Sequence, residues 1–237
     1  FNMINVTPIS NMDQVVRATI FQGENILRVP TNVGDHTVTY GYGYTFIRRG
    51  SNGQWALNNN LYGDMEEIGI TLNITERNRL QGIAEALNQN NLILADQRIT
   101  QFRQDWRYAD LTNPAAQTLY EAEIGHKRDA ILSRFQTHLG TTNGQTLYNA
   151  LQNTNEMASI LSLAYNAESL IGGGLTRAMW NGNRAEAWFE IRYNSNNGRD
   201  ISMRPGLAKR RYLESQMFGL YDNPDSVIPA EAQQIYK

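Results

Sequence analysis

Apolar residues recur at helical spacing through most of the chain. The clearest run begins at Thr75, a residue whose hydroxyl suits the N-cap of a helix. Its apolar members fall three and four residues apart, on one helical face: Leu80, Ile83, Ala84 and Leu87. An earlier capping box at Ser10-Asn11-Met12-Asp13 predicts a short helix that ends near Gly23. Further helices are predicted near residues 96–109, 115–138, 145–152, 155–166, 174–181, 184–194, 206–218 and 230–237.

Between Pro30 and Thr75 the pattern changes to β-branched and aromatic residues. The stretch from Thr37 to Ile47 has this composition, and the turn residues 51–53 separate it from a second run at 54–57. We expect a third run, Glu67 to Leu72, to complete a small sheet. Turn residues also predict breaks at Thr141 to Gly144 and at 194–198. The pattern therefore predicts a mainly helical α+β chain that carries one β-hairpin lobe, at about residues 31–72.

Composition narrows the class of protein. The 237 residues are 41% hydrophobic and 19% charged, which is typical of a globular domain with a core. No apolar run has the roughly 18 residues that a membrane span needs, so we expect no membrane insertion. With 21 basic and 23 acidic residues, the charge does not indicate a nucleic-acid partner. The chain begins at a phenylalanine and lacks a signal-peptide pattern, so we expect a single domain, residues 1–237, excised from a longer protein.

The absence of cysteine limits the chemistry further. It excludes disulfides, thiolate metal sites and cysteine nucleophiles. Three histidines, His36, His126 and His138, do not have the spacing of a metal site. We therefore expect no metal and no cofactor.

Glu24 is the first candidate for catalysis. It follows the predicted first helix, and the strand beyond it carries Thr39 and the triplet Gly41-Tyr42-Gly43. Glycines at alternate strand positions leave one face bare, and aromatic rings offer a surface on which a sugar can stack. A helix end beside such a hairpin would form one wall of a carbohydrate cleft.

Two ordered stretches resemble the phage-type lysozyme family. Thr39 lies fifteen residues after Glu24 and Gly41 lies seventeen after it, as in that family. The family's C-terminal helices are matched, in order, by Leu163-Ala164-Tyr165-Asn166, Gly174 to Arg177, Ala185 to Phe189 and Gly206 to Phe218. The resemblance covers residues 10–90 and 145–220 and leaves about 91–140 as a helical insertion. Larger toxin relatives are similar as well: pesticin-like bacteriocins and, most of all, lysozyme domains of type VI secretion effectors.

The resemblance implies a lysozyme-like fold, in which a β-lobe and a helical lobe face each other across a saccharide cleft. It implies a muramidase that hydrolyses the β-1,4 bond between N-acetylmuramic acid and N-acetylglucosamine in peptidoglycan. Such hydrolysis uses one protonated and one ionised carboxyl group. Residues implied for substrate binding are Gly41, Tyr42 and Asn166, and either Arg210 or Arg211 would hold Glu24.

The resemblance assigns the general acid to Glu24 and leaves the second carboxylate open. At the position where the family has an aspartate, this chain has Val33. The nearest acidic residue is Asp35, which we expect to act as the base, with Thr39 positioning the water. Asp64, Glu66 and Glu67 are further candidates for the second carboxylate. The carboxyl separation, and with it the inverting or retaining outcome, does not follow from the sequence.

Different interpretations of these residues stay open. Glu24 is also compatible with a structural ion pair, for example to Arg28, and Asp35 with ordinary turn chemistry. Val33 favours a peptidoglycan-binding module without catalysis, and a chitinase-like glycosidase would share the cleft. As an antibacterial effector, the protein would be a monomer acting in the periplasm or cell wall of target bacteria, and a cognate inhibitor (immunity) protein would bind it in the producing cell.

Overall fold

The computed structural model describes residues 3–21, 26–50, 52–196 and 205–222. In this part of the chain helices predominate over two small antiparallel sheets, which confirms the α+β, mainly α, prediction. None of the described helices is both long enough and apolar enough to span a bilayer. The contacts divide the chain into two compact units: residues 1–22 with 126–237, and residues 23–125. We call them the discontinuous unit and the β-unit.

The β-unit begins with two sheets. Strands β1 (Leu27–Thr31), β2 (Thr39–Gly41) and β3 (Tyr44–Thr45) form an antiparallel sheet in that order. Strands β4 (Ile47–Arg49) and β5 (Trp55–Leu57) form a separate hairpin. The sequence pattern predicted the Thr37 to Ile47 stretch as strand, whereas the structure turns at Tyr42 and Gly43 and pairs the two halves with each other.

Four helices follow in the chain. They are α2 (Leu61–Glu67), α3 (Ile74–Asn88), α4 (Leu92–Gln104) and α5 (Asn113–Leu139), of which α5 continues into the discontinuous unit. The N-cap of α3 is Asn73 and not the predicted Thr75, because the Asn73 side chain accepts from the Glu76 amide and Glu76 returns a capping-box bond. The predicted strand from Glu67 to Leu72 is wrong, since Glu67 ends α2 and the residues after it form no strand.

Aromatic side chains fill the core of the β-unit. Tyr40, Tyr44, Phe46 and Phe102 are fully buried. Tyr40 and Phe46 meet edge to face with ring centroids 5.8 Å apart, and Trp106 packs against both rings. Such edge-to-face contacts add to the free energy gained by removing the rings from water. The aromatic residues of the predicted strand therefore pack in the core of the β-unit and stabilise the sheet.

The discontinuous unit is helical. Its further elements are α1 (Met12–Phe21), α6 (Thr141–Leu151), α7 (Asn155–Asn166), α8 (Gly173–Trp180), α9 (Arg184–Arg192) and α10 (Pro205–Phe218). Helix α7 is buried from Glu156 to Ala164 and packs against α1 and α10. A helix that is buried on all sides consists mostly of apolar and small residues, and α7 has this composition.

Most predicted helices are confirmed, with shifts at their ends. The helix predicted at 96–109 is α4, which starts four residues earlier because Asn91 caps it at the Leu94 amide. The turn predicted at Thr141 to Gly144 is wrong: these residues begin α6, and Gly140, with a φ of 83°, makes the break. The predicted end of the first helix near Gly23 and the helix at 230–237 lie outside the described residues.

Candidate functional site

Three threonines lie side by side across the sheet of the β-unit. Thr39 on β2 pairs with Thr31 on β1 and with Thr45 on β3. Directly paired residues of antiparallel strands point to the same face, so the three side chains form a row. β-branched residues suit this pleated position, which explains why the sequence is extended here.

The middle threonine differs from its neighbours. Thr31 donates its hydroxyl to the Val29 carbonyl at 2.8 Å, and the Thr45 hydroxyl accepts from Arg48 Nε at 3.0 Å. Thr39 is only 5% exposed, and its Oγ1 has no hydrogen-bond partner among the described residues. A buried hydroxyl without a partner is unfavourable and is uncommon in folded proteins. The hydroxyl of Thr39 is therefore a buried polar group without a partner in this part of the chain.

Next to this row lies an ion pair with one buried partner. Arg48 donates from Nε to Thr45 and from Nη2 to Glu123, at 2.6 Å, and the Glu123 side chain is 3% exposed. Arg48 and Glu123 are 75 positions apart in the chain, so no local pattern could have predicted their contact. The pair ties β3 and β4 to α5 and gives the threonine row one charged end.

Asp64, a candidate for the second carboxylate, is part of the core. It is buried, and its Oδ2 accepts a hydrogen bond of 2.6 Å from the Tyr44 hydroxyl. Burial raises the pKa of Tyr44, and the bond to Asp64 raises it further. This environment gives Asp64 a structural role. Glu66 and Glu67, by contrast, are exposed at the end of α2.

Asp35 lies in the loop that joins β1 and β2. It is exposed, and its two carboxylate oxygens accept from the Thr37 amide at 3.1 Å and from the Thr37 hydroxyl at 2.9 Å. Bonds of this kind to a residue two positions on are typical of an Asx turn. The turn orders the carboxylate but leaves it open to solvent. Val33, in the same loop, is 57% exposed, so solvent also reaches the position where the lysozyme-like pattern has an aspartate.

The same loop is anchored on helix α4. Asp96 accepts from the Asn32 side-chain amide at 2.7 Å and contacts His36 Nδ1 at 2.9 Å. Asn32 also accepts from the amide of Gly34, and His36 adopts a φ of 63°. The contacts hold the loop on both sides of Asp35. A flexible surface loop would not position a carboxylate in this way.

Gly41 ends the strand that carries Thr39, and Tyr42 begins the turn after it. Gly41 has a φ of 59°, and a Cβ at this position would lie 3.2 Å from Leu111 Cδ2 and 3.6 Å from Leu119 Cδ2. The space beside Gly41 is therefore occupied by two leucines, which explains the glycine by close packing. Tyr42 is half-buried and packs edge to face on Tyr120, with ring centroids 6.3 Å apart. The assignment of Gly41 and Tyr42 to substrate binding stays a prediction.

Two further predicted residues lie elsewhere. Glu24, the predicted acid, lies outside the described residues. Asn166 is the last residue of α7, in the discontinuous unit, and is exposed. The structure thus brings Asp35, Thr39, Gly41 and Tyr42 into one unit and places Asn166 in the other.

Helix α10 carries a buried ionic cluster that the sequence pattern did not predict. Arg211, 1% exposed, contacts both oxygens of Glu214 at 2.8 and 3.0 Å, and the Ser162 hydroxyl donates to Glu214 at 2.7 Å. Burial lowers the pKa of Arg211 to about 10 and raises the pKa of Glu214. Arg211 Nη1 has no hydrogen-bond partner among the described residues. The three-residue spacing of Arg211 and Glu214 was a signal for this pair.

Within the described ranges, no group of three or more metal-ligating side chains comes together. Comparison with known proteins returns no match among family models, curated proteins or solved structures. The function of this chain therefore has to be inferred from its own residues and from the resemblance of its motifs.

Proposed function

We propose that the protein is a peptidoglycan hydrolase, a muramidase that cleaves the β-1,4 bond between N-acetylmuramic acid and N-acetylglucosamine. The observation that carries the proposal is the Thr39 hydroxyl, which is buried and lacks a partner among the described side chains. Thr39 lies on strand β2, fifteen residues after Glu24. The lysozyme-like pattern has a catalytic threonine at this position. The proposal requires that the attacking water reach this hydroxyl, whose oxygen is buried in the structure.

The proposed mechanism uses two carboxyl groups and no metal. Glu24 protonates the leaving glycosidic oxygen, and Asp35 takes a proton from the water that Thr39 holds. Asp35 suits the role of base better than Asp64, because it is exposed and ordered by Thr37, while Asp64 is buried and bonded to Tyr44. A base must be accessible to both water and substrate, which a core carboxylate is not.

The test is cleavage of purified peptidoglycan by the wild type and by Glu24→Gln and Asp35→Asn, each checked for folding by circular dichroism. Turbidity loss and analysis of the released sugars measure cleavage. We expect both variants to lose about 100-fold or more in rate, since each removes an acid or base from the reaction. Loss in Glu24→Gln alone would keep the hydrolase and transfer the base to Glu66 or Glu67. An inactive wild type would contradict the proposal.

Thr39→Val tests the proposed role of the hydroxyl separately from folding. Valine has nearly the same shape and removes only a polar group that lacks a partner, so we expect unchanged or slightly increased stability. Activity should nevertheless fall by about tenfold or more, because the water loses its positioning contact. Thr31→Val, the same change at the paired position on β1, is the matched control and should keep its activity. Equal activities of the two variants would remove Thr39 from the mechanism.

A non-catalytic peptidoglycan-binding module is the second candidate function. It is favoured by Val33, which replaces the family's aspartate and is exposed. Such a module would co-sediment with cell walls without releasing sugar. A chitinase-like activity would instead release sugar from chitin oligomers faster than from peptidoglycan.

We further propose that the protein is an antibacterial effector that acts on the cell wall of target bacteria. This part rests on the similarity to secretion-effector domains and includes an inhibitor protein in the producing cell. Expression directed to the periplasm should then be toxic, while expression in the cytoplasm should not. Equal toxicity in both compartments would contradict it.

A further inference from the structure

A cleft of about 430 Å³ lies on the hairpin of helices α3 and α4 in the β-unit. Its volume falls in the range of about 300–1,000 Å³ that is common for small-ligand sites. The lining combines amide and charged side chains from both helices, among them Asn78, Arg79, Glu85, Arg98 and Gln101. None of these residues belongs to the proposed hydrolase site.

The side chain of Arg98 packs against Gly82, a glycine in the middle of α3. Its Nη1 donates to the Gly82 carbonyl, and a Cβ at Gly82 would come within 3.2 Å of the same nitrogen. A glycine inside a helix is unfavourable, so its presence here is explained by the room that the guanidinium needs. Arg98 lines the cleft and forms no ion pair with any described carboxylate. The cleft therefore holds a positioned cation that is not neutralised.

Glu85 supplies the opposite charge. It lies one turn beyond Gly82 on α3 and is exposed, and it has neither an ion pair nor a side-chain hydrogen bond within the described part of the chain. Arg79, by contrast, is already paired with Asp105. Arg98 and Glu85 thus line one cleft without pairing with each other, and each is left with its charge unmatched.

We propose that this cleft binds a short peptide through its two charged ends. The carboxylate of the peptide pairs with the guanidinium of Arg98, which has a planar fork suited to carboxylates. The ammonium group pairs with Glu85. Peptide binding goes beyond the proposed function and does not require hydrolysis. Free oligopeptides and the peptide stems of a cell wall, which carry carboxylates and amines, share this chemistry.

The probe is trialanine, titrated calorimetrically into the full chain at low ionic strength and compared with N-acetyl-trialanine and trialanine amide. We expect each blocked peptide to bind at least tenfold more weakly than trialanine. The absence of trialanine binding, or equal binding of all three peptides, would overturn the proposal.

The variants Arg98→Gln and Glu85→Gln assign the two contacts. Arg98→Gln should weaken the binding of trialanine, and this variant should bind trialanine and trialanine amide equally well. Glu85→Gln should bind trialanine and N-acetyl-trialanine equally well. Arg103→Gln, an exposed arginine of α4 outside the cleft, is the matched control and should bind as the wild type does. The same loss in Arg103→Gln as in Arg98→Gln would overturn the assignment. Thermal unfolding of each variant excludes misfolding as the cause of a loss.

Soluble stem peptides from purified peptidoglycan provide the second arm of the experiment. Tighter binding of stem peptides than of trialanine would assign the cleft to the cell wall, and the reverse would assign it to free peptides. Because the readout is binding, it is independent of hydrolysis. A failed hydrolase assay and a failed titration are therefore distinguishable.

Discussion

Two neighbouring tyrosines of the β-unit core differ in the hydrogen bonding of their hydroxyls. Tyr44 donates to Asp64 at 2.6 Å, whereas the Tyr40 hydroxyl is buried without a partner in the described structure. Burial, with a contribution from the charge of Asp110, raises the pKa of Tyr40 to about 12. Both side chains are fully buried, so the same substitution at each position removes one buried hydroxyl and little else.

We expect Tyr44→Phe to lower the free energy of unfolding by about 1–3 kcal/mol, because buried Asp64 loses a hydrogen-bond donor. Tyr40→Phe should change it by less than about 0.5 kcal/mol or raise it, because no bond is lost. Urea unfolding of the two variants measures the difference. Equal losses would show that the Tyr40 hydroxyl is as well satisfied as that of Tyr44.

His138 gives stability a pH dependence. It lies near the end of α5, and burial, followed by the positive charges of Arg134 and Arg177, lowers its pKa below the ordinary 6.5. The unfolded chain therefore binds the proton of His138 at a higher pH than the folded chain does. Where the unfolded state binds more protons, stability rises with pH. Acidification below about pH 6.5 should thus destabilise the fold through this residue.

We expect His138→Gln to flatten this dependence. Urea unfolding at several values from about pH 8 down to about pH 5 compares the variant with the wild type. The difference in the free energy of unfolding should shift in favour of His138→Gln as the pH falls. Parallel curves would show that His138 titrates alike in the folded and the unfolded chain.

At the level of elements, the β2–β3 hairpin depends on two glycines with positive φ. Gly41 has a φ of 59° and Gly43 a φ of 87°. We expect Gly43→Ala to lower the free energy of unfolding by about 1–2 kcal/mol through backbone strain. Gly41→Ala should lower it by about 1 kcal/mol more, since its methyl group would also lie 3.2 Å from Leu111 Cδ2 and push that side chain aside. Thermal unfolding of both variants tests this, and equal losses would mean that Leu111 moves aside without cost.

Local pattern predicted these elements well where the signal was periodic. Helices α7 and α10 lie within a residue of their predicted bounds, because apolar spacing and capping act within one segment. The strand predicted at Glu67 to Leu72 failed because β-branched composition alone does not distinguish an extended segment from a connection after a short helix. The start of α4 was missed because asparagine is common both at helix N-caps and in turns, so its presence alone does not distinguish the two.

The candidate site was predictable only in part, for a related reason. The position of Thr39 on a strand and of Asp35 in a loop follows from neighbouring residues. Other contacts of the site join residues that are far apart in the chain. The leucines that pack against Gly41 lie about 70 or more positions after it, and Arg48 and Glu123 are 75 positions apart. Tertiary packing determines these contacts and leaves Thr39 without a partner among the described residues. The periodicity of a single sequence carries no information about such packing.

At the scale of the whole chain, one arginine connects distant segments of the discontinuous unit. Arg184 is 3% exposed and pairs with Glu156 at 2.7 Å and with Asp222 at 2.8 Å. It also donates to the backbone carbonyls of Asn5 and Phe218. The bonds join the N-terminal segment, α7, α9 and the end of α10. A buried ion pair of this kind is poor evidence of net stabilisation, but removing one partner leaves the other charge buried.

Arg184→Met should therefore lower the free energy of unfolding by about 3–5 kcal/mol, since Glu156 keeps its buried charge and loses its cation. The double variant Arg184→Met with Glu156→Met should be less destabilised than the sum of the two single variants, because neither charge is then left alone. Arg103→Met, a change at an exposed residue of α4, is the control and should change stability by less than about 0.5 kcal/mol. Urea unfolding measures all of these variants. Additive losses would mean that Arg184 acts through its backbone carbonyl contacts and that its pairing with Glu156 contributes nothing to the closure of this unit.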